Sequence, residues 1–356
     1  MSFRSNATHL VYIAILLLVP QWASGQPGGP TRQAPPLVTV SYEEAFDLFN
    51  LLDNLPDWLP GYTNAIYQQD WERRFGLDVE DRAALAADGQ FRQRTSPMAR
   101  NGDGERPLAD RVLAGIDTRI GDPYTAYFQN AASFTAATEA AIAAQAPGDQ
   151  ALLRRYYARF APRAREVLAG KDRFSRQQEA LTRELAAPEA AAFATRMRTF
   201  YGANSAPVFN ASFVWWPYSN RTQAKLRGGS IVLFSDWAVE DDWAPIVLHE
   251  YAHFLSAGQP AASREALAAG FARLCPGALA LPNPLNALEE PLAIYWGQYR
   301  FEQEVHGKAL SRDSSWYFQP HADRAAKGIA AAFPADQPAP MLAVGPLLEA
   351  AASTCE

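Results

Sequence analysis

Apolar residues recur at helical spacing through most of the first 200 positions, then give way to short continuous runs. Residues 42–55 (YEEAFDLFNLLDNL) carry a helical apolar face, and Ser41 with Glu44 reads as a capping box at its start. Pro56, Pro60 and Gly61 break that helix, and residues 62–75 and 79–93 predict two more. Trp58, Trp71 and Phe75 belong to the expected core. Residues 94–107 (RTSPMARNGDGERP) form a polar loop, and 108–199 are helical again, with alanine-rich pieces at 131–145 and 185–195 that permit close helix packing. Near residue 206 the pattern changes. Residues 207–217 (PVFNASFVWWP) and 228–234 (GGSIVLF) read as buried strands. A helix follows, entered through Asp241 or Asp242 as cap and ended by Gly258 and Pro260. Residues 261–275 form another helix stopped by Pro276, 282–286 a loop, and 287–305 a long helix. Leu37–Val40 is a short β-prone run at the end of a Pro- and Gly-rich lead-in, 26–40, and no internal repeat is present. The pattern predicts an α+β fold, predominantly helical, with a small sheet. A mostly helical region, 41–205, precedes a second region, 206–356.

The chemistry concentrates in residues 246–255, Ile-Val-Leu-His-Glu-Tyr-Ala-His-Phe-Leu. His249 and His253 stand four apart, so a helix stacks both imidazoles on one face. That is the geometry zinc needs from its first two ligands. Glu250, one position round from His249, is placed to take a proton from water activated at the metal. The remaining positions are apolar or small, which marks the helix as buried. Two histidines and a carboxylate in such a helix are costly unless they are paired or bound to metal. A catalytic site needs a third protein ligand, and the stretch 288–296 (LEEPLAIYW) offers Glu289 and Glu290 on a later helix.

Composition narrows the setting. A hydrophobic share of 48% with 12% aromatics suits a packed globular core. The net charge of -6, without a basic run, excludes nucleic acid as a partner. Arg154, Arg155, Arg159, Arg163 and Arg165 read as a solvated helix face. Arg4, the apolar run 10–20 (LVYIAILLLVP) and Ala23-Ser24-Gly25 make residues 1–25 a signal peptide. The run is short for a membrane span, so the expectation is a secreted or periplasmic protein with no membrane span after cleavage. The 2 cysteines, Cys275 and Cys355, suit that compartment and predict one disulfide.

Over residues 207–305 the chain resembles the gluzincin branch of zinc metallopeptidases. There a strand leads into an H-E-x-x-H helix, and a second helix presents Glu in an E-G-L-A-like setting. Here the matching residues are Glu290-Pro291-Leu292-Ala293, with Pro where Gly is usual. The resemblance implies a zincin-like domain with its sheet beside the motif helix. It implies one zinc ion held by His249, His253 and Glu290, with Glu289 as the alternative ligand, and Glu250 as general base. It implies a peptide or protein substrate laid along an edge strand, assigned to 229–234, and an oxyanion donor among His306, Tyr317 and His321. The chain departs from related patterns in having no third His after Gly258 and no N-E-x-x-S-D signature. It has Ile294 where some gluzincins place an Asp that orients a ligand His. Two functions follow: an exported zinc-dependent peptidase, or a catalytically silent zincin-fold protein that binds a peptide or protein partner through the cleft. Glu250 favours the first, since a binding module has no use for that carboxylate.

Overall fold

A four-stranded mixed sheet backs the helix that carries the H-E-x-x-H motif. The computed structural model describes residues 37–59, 62–96, 122–170, 174–203, 208–217, 223–227, 230–236, 242–280, 285–338, 342, 345–353 and 355. The expected signal peptide 1–25, residues 26–36 of the lead-in, 97–107 of the polar loop and Asp241 lie outside them. The sheet comprises β1 (Val38–Tyr42), β2 (Phe209–Trp215), β3 (Gln223–Arg227) and β4 (Ser230–Ser235), in the order β1-β2-β4-β3. β1 and β4 flank β2 in parallel, and β3 pairs antiparallel with β4. Every residue of β4 is buried, which is why a continuous apolar run, rather than an alternating one, encodes it.

Three expectations change here. The strand assigned to the cleft edge is interior, because β4 lies between β2 and β3. The edge on that side is β3, whose sequence QAKLR alternates polar and apolar side chains and carries little strand signal. The lead-in ends earlier than residue 40, because Val38–Val40 are already paired with β2. The capping box does not form. Ser41 is held extended in β1, where its hydroxyl lies 2.9 Å from that of Ser212, and no side chain caps the helix that follows.

The helices of the first half are α1 (Glu44–Asn54), α2 (Ile66–Phe75), α3 (Val79–Thr95), α4 (Phe134–Ala143), α5 (Pro147–Val167), α6 (Ser175–Leu185) and α7 (Pro188–Phe200). In the second half are α8 (Trp243–Ala257), α9 (Ala261–Leu274), α10 (Asn286–Ile294), α11 (Phe301–Glu304), α12 (Pro320–Ala332) and α13 (Pro346–Ala352). The predicted long helix 287–305 is α10 and α11 joined by a π-helical turn, Tyr295–Arg300. Residues Pro36–Glu356 make one compact unit, in which β1, at the junction of the lead-in and the first region, pairs with β2, from the second.

Three of the five arginines of α5 are matched by the chain's own acids. Arg159 reaches Asp78, Glu80 and Asp81, Arg163 reaches Asp81, and Arg154 reaches Glu139.

Cys275, just after α9, is bonded to Cys355, 80 positions later. Closing a loop of that length restricts the unfolded chain by about 4 kcal/mol. Reduction, or a Cys355→Ser variant, is therefore expected to lower unfolding free energy by that order. Denaturant titrations that coincide with and without reductant would refute it.

Candidate metal centre

α8 is apolar on nearly every side, and its sequence explains its burial. Val247, Leu248, Tyr251, Ala252 and Leu255 are all within 1% of full burial. The aromatic rings of β2 hold it against the sheet: Phe213 meets Trp243 edge-on, and Phe209 packs on Tyr251 and Phe254. Asp242 stands at its N-cap position without a side-chain cap bond; its carboxylate is instead 3.1 Å from the Lys308 ammonium. The least buried stripe of α8 is Ile246, Glu250 and Phe254, spaced by one turn. Glu250 thus lies on the open side, while His249 and His253 are buried at 4% and 6% exposure.

α10 brings Glu290 over both imidazoles. Its Oε1 is 3.3 Å from His249 Nε2, and its Oε2 is 3.4 Å from His253 Nε2. One ligand atom from each residue lies within 4.8 Å of the others, an arrangement able to hold a metal ion. Glu289 is turned elsewhere: it is buried and accepts a 2.7 Å hydrogen bond from Ser256 Oγ. The electrostatics of the three groups are mutual. Burial presses the His249 pKa down, but the hydrogen bond and charge of Glu290, helped by Glu250, outweigh it and raise the net value. Burial presses Glu290 up, and the two imidazoles hold it far below the usual carboxylate range. The Glu290 side chain therefore stays anionic across the physiological range.

Around this trio the structure adds groups that the sequence pattern did not mark. His249 Nδ1 is 3.1 Å from Gln298 Oε1. Lys225, on β3, donates to the Tyr62 carbonyl at 2.9 Å. Burial, then repulsion from Arg227, pushes its pKa down to about 8 against the attraction of Glu250. The only sequence signal for Lys225 was its place on a strand that went unread. Gln298 had none, because its position depends on the π turn.

Of the three oxyanion candidates, the structure brings Tyr317 to the centre. Its ring stacks on that of His249, centroids 5.5 Å apart and planes 19° from parallel. Asp323 of α12 secures the approach by accepting from the Trp316 and Tyr317 backbone amides at 2.7 and 3.2 Å. His321 is exposed in the first turn of α12. His306 is committed to a different cluster, with Nε2 at 2.8 Å from Glu184 and Nδ1 at 2.8 Å from Glu302.

Glu184, Asp242 and His306 also converge closely enough for a metal. Here, however, Lys308 already sits 3.1 Å from Asp242 and 3.3 Å from Glu302, so cations of the chain itself balance the carboxylates. Burial lowers the His306 pKa, and the hydrogen bonds to Glu302 and Glu184 outweigh it and raise it. A raised histidine pKa contributes stability that is full below the unfolded value, about 6.5, and lost as pH rises through the folded one. The melting-temperature gap between wild type and His306→Gln should accordingly be widest below about pH 6.5 and shrink above it. A gap that stays constant with pH would show that the fold leaves the His306 pKa where the unfolded chain has it.

Compared with protein-family models, curated proteins and solved structures, the chain matches none.

Proposed function

We propose that the chain is an exported zinc-dependent peptidase, with His249, His253 and Glu290 as metal ligands and Glu250 as general base. The observation that carries this reading is the convergence of two Nε2 atoms and one carboxylate beside a half-buried glutamate on the same helix. The donor set suits zinc in its catalytic form, with two imidazoles, one carboxylate and no thiolate. The spacing suits it as well. One ligand atom from each of the three residues lies within 4.8 Å of the others, and each Glu290 oxygen is 3.3 or 3.4 Å from one of the two Nε2 atoms. A bound zinc supplies Lewis-acid activation of water and of the scissile carbonyl.

The chain's own groups account for the rest. Glu250 takes the proton of the attacking water and delivers it to the leaving amine. Of the three candidates Tyr317 is the one whose ring stacks on a ligand histidine, and it is assigned to donate to the developing oxyanion. β3, the edge strand beside β4, offers backbone groups to an extended peptide by strand addition. Lys225 on that strand adds positive charge near Glu250. Export is supported by the Cys275–Cys355 disulfide, and no described helix is long and apolar enough to cross a membrane.

The test joins metal analysis of the purified protein to digestion of a peptide library. Near-stoichiometric zinc with chelator-sensitive cleavage is expected. Zinc uptake without cleavage of any peptide would leave the silent peptide-binding protein as the better description. No zinc uptake would end the metallopeptidase reading.

A further inference from the structure

Gln298 reaches the metal centre only because the helix after Glu290 changes its winding. In an α-helix each residue turns about 100°, so a position eight beyond Glu290 would sit roughly 80° away from its direction. Gln298 lies four residues into the π-helical turn Tyr295–Arg300. Four α steps to Ile294 and four wider π steps, each roughly 80°, sum to about two full turns. Gln298 therefore faces the same way as Glu290, and its Oε1 is 3.1 Å from His249 Nδ1.

A second observation shows how closely this turn is seated. A Cβ on Gly297 would lie 2.5 Å from the His249 backbone nitrogen and 2.6 Å from the Pro245 carbonyl oxygen. Those distances are below any real Cβ contact, so only glycine lets the π turn approach the backbone of α8. The chain beyond Glu290 thus runs toward the start of α8 and places a side-chain amide behind the first histidine. The position one α turn after Glu290 is occupied by Ile294, which is fully buried and packs with Ala322 and Ala326; it has no polar atom to offer an imidazole.

Resting on the metal-site reading, we propose that Gln298 is the positioning residue of this centre. The π turn carries it to His249, where its carbonyl oxygen accepts from Nδ1–H, fixes the ring and leaves the Nε2 lone pair for the metal. The outer partner is then a neutral amide in place of a carboxylate. It orients the ligand without adding negative charge, so it raises imidazole basicity less than an aspartate or glutamate would.

The test uses the full protein with Gln298→Leu and Gln298→Glu variants, and zinc alone as the probe. Zinc affinity, measured by competition with a chromophoric chelator, should weaken by about 10–100-fold in Gln298→Leu. In Gln298→Glu it should equal or exceed that of wild type, a rescue that a merely space-filling role would not produce. In metal-free Glu290→Ala protein with labelled histidine, where no carboxylate competes for a proton on Nε2, nitrogen NMR above the imidazole titration should show His249 as the Nδ1–H tautomer. Gln298→Leu should convert that signal to a mixture. Unchanged zinc affinity in Gln298→Leu, or an unchanged tautomer, overturns the proposal. Wild-type protein that binds no zinc overturns the metal reading instead, and the tautomer measurement still decides whether Gln298 orients the ring.

Discussion

Replacing Glu250 with glutamine is expected to leave zinc bound near stoichiometrically while lowering peptide hydrolysis by about 10²–10⁴-fold, the usual contribution of a positioned general base. Glutamine keeps the shape of the side chain and removes only its basicity, and Glu250 makes neither of the two carboxylate contacts to the histidines. Glu290→Ala should do the opposite. It removes the carboxylate that touches both imidazoles, so the metal itself should be lost on gel filtration. Glu289→Ala should retain metal, because that carboxylate is bound to Ser256. Metal content and turnover measured on the three variants separate the roles. Equal zinc loss in Glu250→Gln and Glu290→Ala would sink the assignment of base and ligand. Zinc loss in Glu289→Ala would move the third ligand back by one residue.

The motif helix and its partner were legible because their information is local. The spacing of His249 and His253 states a common face, and the apolar frame states burial. Most helices were legible for the same reason, as was the change of character at β2. The register between Glu289 and Glu290 was not available from spacing, since both precede Pro291 on one turn; the Ser256 hydroxyl separates them in space. Gln298 was hidden by the assumption of uniform helical winding. β3 was hidden because an edge strand with a polar alternation looks like loop, and with it went Lys225.

Asp53→Ala is expected to cost about 3–5 kcal/mol of stability, the range for removing one partner of a buried ion pair. Asp53 accepts from Arg92 Nε at 2.7 Å and from Arg227 Nη2 at 2.8 Å, and all three side chains are 1–2% exposed. Arg92 is bound to Asp122 as well, and Arg227 donates to Tyr62 and Asn50. Removing Asp53 leaves two guanidinium groups in the interior with one carboxylate, Asp122, among the partners named. The melting temperature should fall on the order of 10 °C, and a fall of about 1 °C or less would show that water or rearrangement replaces the lost carboxylate. The apolar face predicted for α1 is present, but its polar residues are buried too, and the network takes up two of them, Asn50 and Asp53. Asp47, Asn50, Asp53 and Asn54 are all buried, where the sequence alone would turn such residues to solvent. Because Arg227 belongs to β3, the network anchors the strand proposed to receive substrate to α1 and α3.

The parallel pairing of β1 with β2 carries a consequence for how the chain reaches its native state. The Thr39 hydroxyl meets the Phe209 carbonyl across 170 positions, and β4, beyond β2, completes the sheet against which α8 packs. During synthesis β1 emerges long before its neighbour exists, so its hydrogen-bonding edge must wait for most of the polypeptide. Closure of so long a loop is entropically slow. The helices of the first half can form early from local contacts, whereas the metal centre belongs to the last events of folding. A chain built this way remains unassembled at its working end until well over two thirds of it has been made. Under the proposed function, such a delay would hold hydrolytic competence back until translation is nearly over.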